Sequence, residues 1–339
     1  MAAVTVEVRI LEALPEGLLE CDATELEASL GGPSMVHIPG RQEPPLFVSV
    51  LLHGNETSGW NGVRKLLAKH PVPARSLILF IGNVAAAAAG VRKLPHQQDF
   101  NRIWREASGD EAALSTSVMD ALGGYSLHAV VDLHNNTGMN PHYSLLSELD
   151  PECLGLAGLF SDKAVYVVEP STTLARAFRG RCPAVTLELG PVGDPGCEEH
   201  ALSYLEKLLA LPGLPAPDTA PLALYRSLGR VYVPDEVDFS FGGAPGDSSL
   251  VFACTEAVNF RELPVGSLFA VSAEGIAPRV DSPDHADVTW HYLHREGNHI
   301  VTRRPLVPAM YTMDPAAVRH DCLCYFMERI TPGAAPAGA

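Results

Sequence analysis

The stretch Leu46-Phe-Val-Ser-Val-Leu-Leu-His53-Gly-Asn-Glu56 decides the fold. Its run of apolar and small residues, Leu46–Leu52, is typical of a strand that is buried on both faces of a parallel sheet. The run ends on a histidine, and a glutamate follows three residues later. In open α/β sheets, ligands bind just beyond the carboxyl ends of the strands. The sequence therefore predicts a functional site at His53 and Glu56.

Further runs of this kind follow along the chain, and amphipathic segments separate them. The predicted strands are Leu77–Ile81, His128–Leu133, Ala164–Val168 and Ala184–Leu189. The predicted helices are Gly59–Lys69, Glu111–Leu122, Glu152–Phe160, Thr173–Phe178 and Glu198–Ala210. Strands that alternate with helices predict an α/β fold, with a mixed, mostly parallel sheet covered by helices.

The composition of the chain changes at Leu211–Pro221, where the prolines of LPGLPAPDTAP would end any helix and predict a linker. A chain of 339 residues also exceeds the roughly 250–300 residues at which a single core stops growing. We therefore expect an α/β domain over residues 1–212 and a smaller β-rich domain over residues 213–330. The strands predicted in the second domain are Gly229–Val233, Ser249–Ala253, Ser267–Val271 and Val288–Tyr292. The segment 331–339, rich in proline, glycine and alanine, is predicted to be a disordered tail.

Composition excludes several classes of protein. The chain carries 24 basic and 40 acidic side chains, a formal net charge of -16, whereas a nucleic-acid-binding surface is normally basic. Its seven cysteines are scattered without a CxxC pair, which favours a reducing compartment over a disulfide framework. No apolar run approaches about 18 residues, and no signal peptide is recognisable at the start. The sequence predicts a cytoplasmic protein that binds neither nucleic acid nor membrane.

A second histidine stands at another predicted strand end, in Val130-Val-Asp-Leu-His134. Two histidines and one glutamate are a known ligand set of catalytic zinc, which leaves a fourth position open for water. A lone histidine beside glycine or asparagine is more often an ordinary turn residue. Because both histidines follow predicted strands, His53, Glu56 and His134 are candidate ligands of one Zn²⁺ per chain.

A carboxylate ends a third apolar strand, in Pro183-Ala-Val-Thr-Leu-Glu188. An ionised group in that position is costly unless it faces a cleft, a cation or water. Glu188 is therefore a candidate general base, which would take a proton from water and pass it to a leaving nitrogen. A strand-end salt bridge is the alternative for Glu188 taken alone.

The segment Gln98-Asp99-Phe-Asn101-Arg102 and the upstream Arg92 supply cationic forks. Arginine stays charged and binds carboxylates through two parallel hydrogen bonds, which suits an anionic substrate. Asp99 could orient a ligand histidine or one of these arginines. For an arginine taken alone, a solvated surface position is the alternative.

Four of these motifs together resemble the succinylglutamate desuccinylase/aspartoacylase family, a branch of the zinc carboxypeptidase-like fold. They are His53-Gly-Asn-Glu56, Asp99-Phe-Asn101-Arg102, Asp132-Leu-His134 and Glu188-Leu-Gly190, in this order within residues 46–190. The region after the linker is similar to the family's second domain in position and size. The resemblance implies a zinc carboxypeptidase-like fold, with the β-rich domain capping the site.

The resemblance also implies roles for the matching residues. The zinc ligands would be His53, Glu56 and His134, and the general base would be Glu188. Asn101 and Arg102 match the pair that binds the substrate carboxylate. Arg92 resembles the arginine that stabilises the oxyanion, although its spacing of nine residues from Asn101 is longer than in the better-known members.

Two specificity elements of the family have several candidates in this sequence. An arginine shortly before the strand of the base holds a second substrate carboxylate, and the candidates are Arg176, Arg179 and Arg181. Among them Arg179 is our predicted substrate contact. A tyrosine from the second domain closes the site in family members, and Tyr311 is one candidate.

The sequence as a whole predicts a zinc-dependent hydrolase that cleaves the linear amide bond of a small, anionic N-acyl amino acid. The local charge agrees, because residues 51–105 hold eight basic and two acidic side chains in an otherwise acidic protein. One alternative is a metallocarboxypeptidase or peptide amidase. A catalytically silent metal-binding module is the alternative from another class, and association into a homo-oligomer is left open.

Overall fold

In the computed structural model, the apolar runs of the sequence become the central strands of a sheet. The structure describes residues 7–105, 111–168, 170–217, 221–242, 248–273, 275–282 and 285–331. The chain divides into two units, one within Met1–Asn135 and His142–Leu222 and the other within Asn136–Pro141 and Ala223–Ala339. Beyond residue 331, the predicted tail lies outside the described residues.

The sheet of the first unit is mixed and mostly parallel, as predicted. Its strands are β1 (Arg9–Leu11), β2 (Ser34–Ile38), β3 (Leu46–Val50), β4 (Leu77–Ile81), β5 (Val130–His134), β6 (Tyr143–Leu146), β7 (Lys163–Tyr166) and β8 (Ala184–Glu188). They lie in the order β1-β2-β4-β3-β5-β8-β6-β7. The pairs β2–β4 and β6–β8 are antiparallel, and the other neighbours in this order are parallel.

Helices alternate with these strands. They are α1 (Leu26–Leu30), α2 (Ser58–Lys69), α3 (Val84–Ala88), α4 (Glu111–Leu122), α5 (Pro151–Phe160), α6 (Leu174–Ala177) and α7 (Pro195–Ala210). The helices α5 and α7 begin earlier than predicted because an aspartate followed by proline starts each one. The Asp194 carboxylate accepts from the Gly196 amide, and Asp150 does the same for Glu152 and Cys153.

Every residue of β3, β4, β5 and β8 is buried, which explains why their sequences lack polar alternation. The few polar residues of the central strands are aligned across the sheet. Asp132 lies opposite Ser49 on one side and opposite Thr186 on the other. Two residues further along, His134 lies opposite Glu188. Since paired residues share a face and side chains repeat every second residue, these polar residues lie on one face of the sheet.

The strand β3 ends two residues before the predicted end. Leu51 adopts a left-handed backbone conformation, with φ of 58°, which is uncommon for a residue with a side chain. The Gly82 amide donates to the Val50 carbonyl, and the Asn83 amide donates to the Leu51 carbonyl at 2.6 Å. Gly82 is required at this point, because a Cβ there would lie 2.8 Å from the Leu51 carbonyl oxygen. This sharp turn directs the chain into His53.

The second unit is rich in β-structure, as predicted. Its strands are β9 (Ala223–Tyr232), β10 (Phe239–Phe241), β11 (Leu250–Phe252), β12 (Leu268–Ser272), β13 (Arg279–Asp281), β14 (Leu293–Glu296), β15 (His299–Thr302), β16 (Val307–Ala309) and β17 (Cys324–Ile330). It also contains α8 (Thr289–Tyr292) and α9 (Pro315–His320). The strands β10, β11, β12, β15 and β14 form one sheet, while β9 pairs with β13 and β17, and β17 also pairs with β16.

The strand predicted over Val288–Tyr292 is wrong, because these residues form the short helix α8. The Asp287 carboxylate accepts hydrogen bonds from the Thr289 amide and hydroxyl, at 3.0 and 2.6 Å. These bonds start a helical turn, and they outweigh the β-propensity of valine, threonine, tryptophan and tyrosine.

Tyr311 lies in the core of the second unit. Its side chain is fully buried, and its hydroxyl donates to the Cys254 carbonyl at 3.2 Å. The ring packs against Phe269 and Phe241. The hydroxyl is therefore hydrogen-bonded within the core of its own unit.

Among the residues that the structure describes, no helix is both long enough and apolar enough to span a membrane.

Candidate metal centre

Two neighbouring parallel strands place the predicted ligands together. His53 and Glu56 follow β3, and His134 is the last residue of β5. One ligand atom from each residue lies within 4.8 Å of the others. All three side chains are buried, with 3%, 6% and 3% of their residue surfaces exposed. A buried group of two imidazoles and a carboxylate could hold a metal ion.

The Glu56 carboxylate lies between the two imidazole rings. Its Oε1 is 2.7 Å from His53 Nδ1, and its Oε2 is 2.8 Å from His134 Nδ1. The backbone amide of Asn135 also donates to Oε2, at 3.1 Å. Both Nδ1 atoms therefore point toward one carboxylate, which is the convergence that a shared metal ion requires.

Carboxylates also hold the far side of each ring. His53 Nε2 lies 2.9 Å from Asp99 Oδ1, and His134 Nε2 lies 2.8 Å from Asp132 Oδ2. Carboxylates in this position fix the orientation of ligand histidines and make them more basic. The interpretation of Asp99 as an orienting residue agrees with this geometry.

Asp132 contacts His134 in the same way, although the sequence predicted no role for it. The available signal was the spacing, because residues two apart in a strand share a face, and Asp132 precedes His134 by two. Asp132 is completely buried. Its Oδ1 has no hydrogen-bond partner among the residues that the structure describes.

The protonation of the group reflects its excess of negative charge. Burial alone would raise the pKa of Glu56, but the His53 and His134 imidazoles hold it well below its usual range. Burial would likewise raise the pKa of Asp99, yet its hydrogen bond to His53 and the nearby Arg92 lower it. Burial would lower the pKa of His134, but Asp132 and Glu56 raise it above its usual value. A divalent cation could replace the proton that His134 binds.

Arg92 lies at the edge of the group, with 42% of its side chain exposed. Its Nη2 donates to Asp99 Oδ2 at 3.0 Å, and its Nη1 lies 3.6 Å from Glu56 Oε1. The longer spacing from Asn101 therefore still places this guanidinium beside a predicted ligand.

Asn101 and Arg102 lie in a short 3₁₀ turn, Phe100–Arg102, which Asp99 starts by accepting from the Asn101 amide. Asn101 Oδ1 accepts from the Leu174 amide at 3.0 Å, and its Nδ2 lies 3.4 Å from His134 Nε2. Arg102 Nη1 donates to the Asn101 carbonyl. The pair therefore lies beside the group, and Asn101 connects it to the start of α6.

Glu188 is the last residue of β8 and pairs in register with His134. Only 6% of its surface is exposed. Because paired residues of parallel strands point to the same face, the Glu188 side chain lies on the face that carries His134.

The three candidate arginines differ in burial and in their hydrogen-bond partners. Arg179 is half-exposed, and its Nε lies 3.5 Å from Glu148 Oε1. Arg181 is exposed and stacks on Phe178. Arg176, in contrast, is buried in α6, and its Nε and Nη1 have no hydrogen-bond partner within the described ranges. Helical spacing could not have separated them, because Arg176 is two residues from the buried Leu174 and three from Arg179, and only residues three or four apart share a helix face.

These features define a class: α/β proteins with a metal-type His-Glu-His group at the carboxyl ends of a mostly parallel sheet. The catalytic-domain model of the succinylglutamate desuccinylase/aspartoacylase family matches residues 42–210. That segment belongs to the family's catalytic domain, which supports an N-acyl amino acid deacylase.

Solved structures are similar in fold. Succinylglutamate desuccinylase from Chromobacterium violaceum has a TM-score of 0.58 and 18% identity, over 93% of this chain and 99% of that one. For the enzyme from Vibrio parahaemolyticus the values are 0.57 and 16%, over 86% and 84%. For murine aminoacylase 3 they are 0.56 and 18%, over 85% and 97%. No curated protein matches the chain in sequence.

Proposed function

We propose that the chain is a zinc-dependent amidohydrolase that cleaves the amide bond of a small N-acyl amino acid. The buried His53-Glu56-His134 group within the matched catalytic domain carries the proposal. The donor set fits one Zn²⁺ ion, since imidazole nitrogens and a carboxylate are zinc ligands and both far nitrogens are held by carboxylates. Zinc would supply Lewis acidity and lower the pKa of water toward about 7.

Glu188 acts as the general base in this proposal. The register of Glu188 with His134, at the carboxyl ends of β8 and β5, supports this role. Glu188 takes a proton from the attacking water and returns the proton to the leaving nitrogen, so that the carboxylate ends the cycle ionised. A positioned base of this kind contributes about 10²–10⁴-fold to the rate.

Arg92 stabilises the negative charge that develops on the scissile carbonyl oxygen. Asp99 holds the guanidinium in place before the reaction through Nε and Nη2, at 3.3 and 3.0 Å. A donor that is fixed in advance needs no reorganisation as the charge develops.

Asn101, Arg102 and Arg176 bind the substrate carboxylates. Arg102 is fixed by its bond to the Asn101 carbonyl. We propose Arg176 as the second carboxylate-binding arginine in place of the predicted Arg179, which pairs with Glu148 at the surface. A buried guanidinium with two unpartnered nitrogens is costly, and a carboxylate would satisfy both.

A hydrolysis screen tests the proposal. N-acetyl, N-succinyl and N-formyl amino acids would be incubated with the full chain, alongside a panel of short peptides, with and without a chelator. We expect hydrolysis of an N-acyl amino acid that a chelator abolishes and zinc restores. Cleavage of peptides alone would favour a carboxypeptidase, and turnover that a chelator leaves unchanged would contradict the use of zinc.

Three expectations stay predictions. They are a capping role for residues 213–330, association into a homo-oligomer and a cytoplasmic location.

A further inference from the structure

Asn135 lies between the two strand ends that carry Glu56 and Glu188. It follows His134 directly, and β5 is the middle strand of the order β3-β5-β8. Only 3% of its surface is exposed. Its position therefore allows it to bond to both neighbouring strand ends at once.

On one side, Asn135 holds the start of α2, the helix that follows Glu56. Its Oδ1 accepts from the Ser58 amide at 3.1 Å, and its Nδ2 donates to the Ser58 hydroxyl at 3.0 Å. The amides of a helix's first turn have no partner within the helix, so Asn135 caps α2 from another strand. Its own backbone amide donates to Glu56 Oε2.

On the other side, Asn135 holds the end of the Glu188 strand. The backbone pairing of β5 with β8 ends where the Leu189 amide donates to the His134 carbonyl, at 2.8 Å. The next link is made by a side chain, because Asn135 Nδ2 donates to the Gly190 carbonyl at 2.8 Å. Gly190 turns away from the strand in a left-handed conformation, with φ of 94°. The Asn135 side chain therefore extends the pairing one step beyond the strand.

Both donors of this amide are used by the protein. A side-chain amide has two N–H donors, and those of Asn135 go to the Ser58 hydroxyl and the Gly190 carbonyl. Asn135 therefore has no N–H left to donate to a substrate carboxylate, and its contacts hold other residues of the chain.

We propose that Asn135 is a positioning residue that fixes Glu188 relative to the His53-Glu56-His134 group. The proposal rests on the proposed function, in which Glu188 is the base. Asn135 ties Gly190 to Ser58, two residues beyond Glu188 and two beyond Glu56. A misplacement of about 1 Å in a reacting group can lower a rate by about 10²-fold, so loss of this tie acts on the chemical step.

The test compares Asn135→Ala and Asn135→Asp with the unaltered chain. Asn135→Ala removes the side-chain tie and keeps the backbone amide that donates to Glu56. We expect kcat to fall by about 10–100-fold, with KM and zinc content within twofold of the unaltered chain. Asn135→Asp places an oxygen against the Gly190 carbonyl and lowers kcat at least as far.

Asn61→Ala is the matched control. Asn61 also joins two elements through its amide, with Nδ2 donating to Glu198 Oε1 at 2.7 Å between α2 and α7. We expect this variant to keep kcat within twofold. An unchanged kcat in Asn135→Ala would overturn the proposal, and so would a raised KM. A loss of zinc would also overturn it if added zinc restored both the zinc content and the activity.

Hydrogen exchange tests the tie without any substrate. In Asn135→Ala, the Ser58 amide should exchange at least about tenfold faster, because its acceptor is gone, and Asn61→Ala should leave that amide protected. Equal protection in the two variants would refute the tie even if kcat fell. If the unaltered chain hydrolyses no N-acyl amino acid, the proposed function fails, and the exchange result alone then decides whether Asn135 holds the two strand ends.

Discussion

Replacement of Asp132 should weaken metal binding although Asp132 is not a ligand. Its Oδ2 holds His134 Nε2 at 2.8 Å, and the carboxylate is completely buried. Outer-shell partners of this kind typically contribute 10–100-fold to metal affinity. Asp132→Asn keeps an acceptor oxygen but removes the charge, so we expect about a tenfold loss. Asp132→Ala removes both, so we expect about a 100-fold loss, or roughly 2.7 kcal/mol.

The size of this loss should depend on pH. In the proposed function zinc would displace the proton of His134, and Asp132 is one of the groups that raise the pKa of His134. Without Asp132 the imidazole releases its proton more readily, which offsets part of the lost affinity at low pH. The difference between the unaltered chain and Asp132→Asn should therefore be larger at pH 8 than at pH 6.

Competition with a chromophoric chelator measures these affinities in the full chain. Asp162→Asn serves as the control, because Asp162 is an exposed carboxylate that pairs with Lys163 at 2.7 Å. Its zinc affinity should equal that of the unaltered chain. The reasoning is refuted if both Asp132 variants bind zinc as tightly as the control, or if the difference shrinks as the pH rises.

Three further perturbations have defined outcomes. Glu188→Gln should keep zinc and lose about 10²–10⁴-fold in kcat. Metal analysis and single-substrate kinetics measure the two quantities, and a zinc-loaded variant with unchanged kcat would rule out Glu188 as the base. Arg176→Ala should lower kcat/KM by about 10–100-fold, as expected for a lost charged hydrogen bond of about 1.5–3 kcal/mol. Arg179→Ala should change kcat/KM by less than twofold. The reverse result would identify Arg179 as the arginine that binds the substrate carboxylate. Burial lowers the pKa values of His142 and His200, and the stacked His142 ring adds to the effect on His200, so these two residues bind more protons in the unfolded chain than in the folded one as the pH falls below about 6.5. These two histidines should therefore lower the urea midpoint between pH 7 and pH 5, a contribution opposite in sign to that of His134, whose pKa is raised. His200→Phe should reduce this loss of stability, and an unchanged pH dependence would show that the stack does not govern it.

The central strands could be predicted because they are buried on both faces. Runs such as Leu77–Ile81 contain no polar residue, so the predicted and observed bounds agree. The strand β2 was missed because only Met35 and Val36 are adjacent apolar residues in Ser34–Ile38, so no apolar run is visible. The strand β6 was missed for a similar reason, since Ser144 leaves only two adjacent leucines in Tyr143–Leu146. Edge and antiparallel strands of this length depend on tertiary pairing more than on local pattern.

The His53-Glu56-His134 group could be predicted because its members follow or end two neighbouring parallel strands, and parallel strands bring their carboxyl ends to one edge. The supporting residues were harder to identify. Asp132 lies inside a strand whose sequence already explained its burial, and Asn135 follows a histidine like an ordinary turn residue. Their roles depend on partners such as Gly190 and Ser58, which are 55 and 77 residues away in sequence. Spacing along the chain does not encode such contacts.

Two buried arginines differ in how many of their nitrogens have hydrogen-bond partners among the described residues. Arg75 Nε has no partner within those residues, but the other nitrogens of this fully buried side chain donate to the carbonyls of Pro44, Leu211 and Pro212 and to the Gln42 side chain. The free-energy cost of burying the Arg75 guanidinium is therefore largely compensated by hydrogen bonds within the fold. Arg176 leaves two nitrogens unpartnered among the described residues, and each such group costs about 1–3 kcal/mol. In the proposed function a substrate carboxylate would supply the hydrogen bonds that Arg176 lacks, and Asn101, which contacts His134, accepts from the Leu174 amide at the start of the same helix.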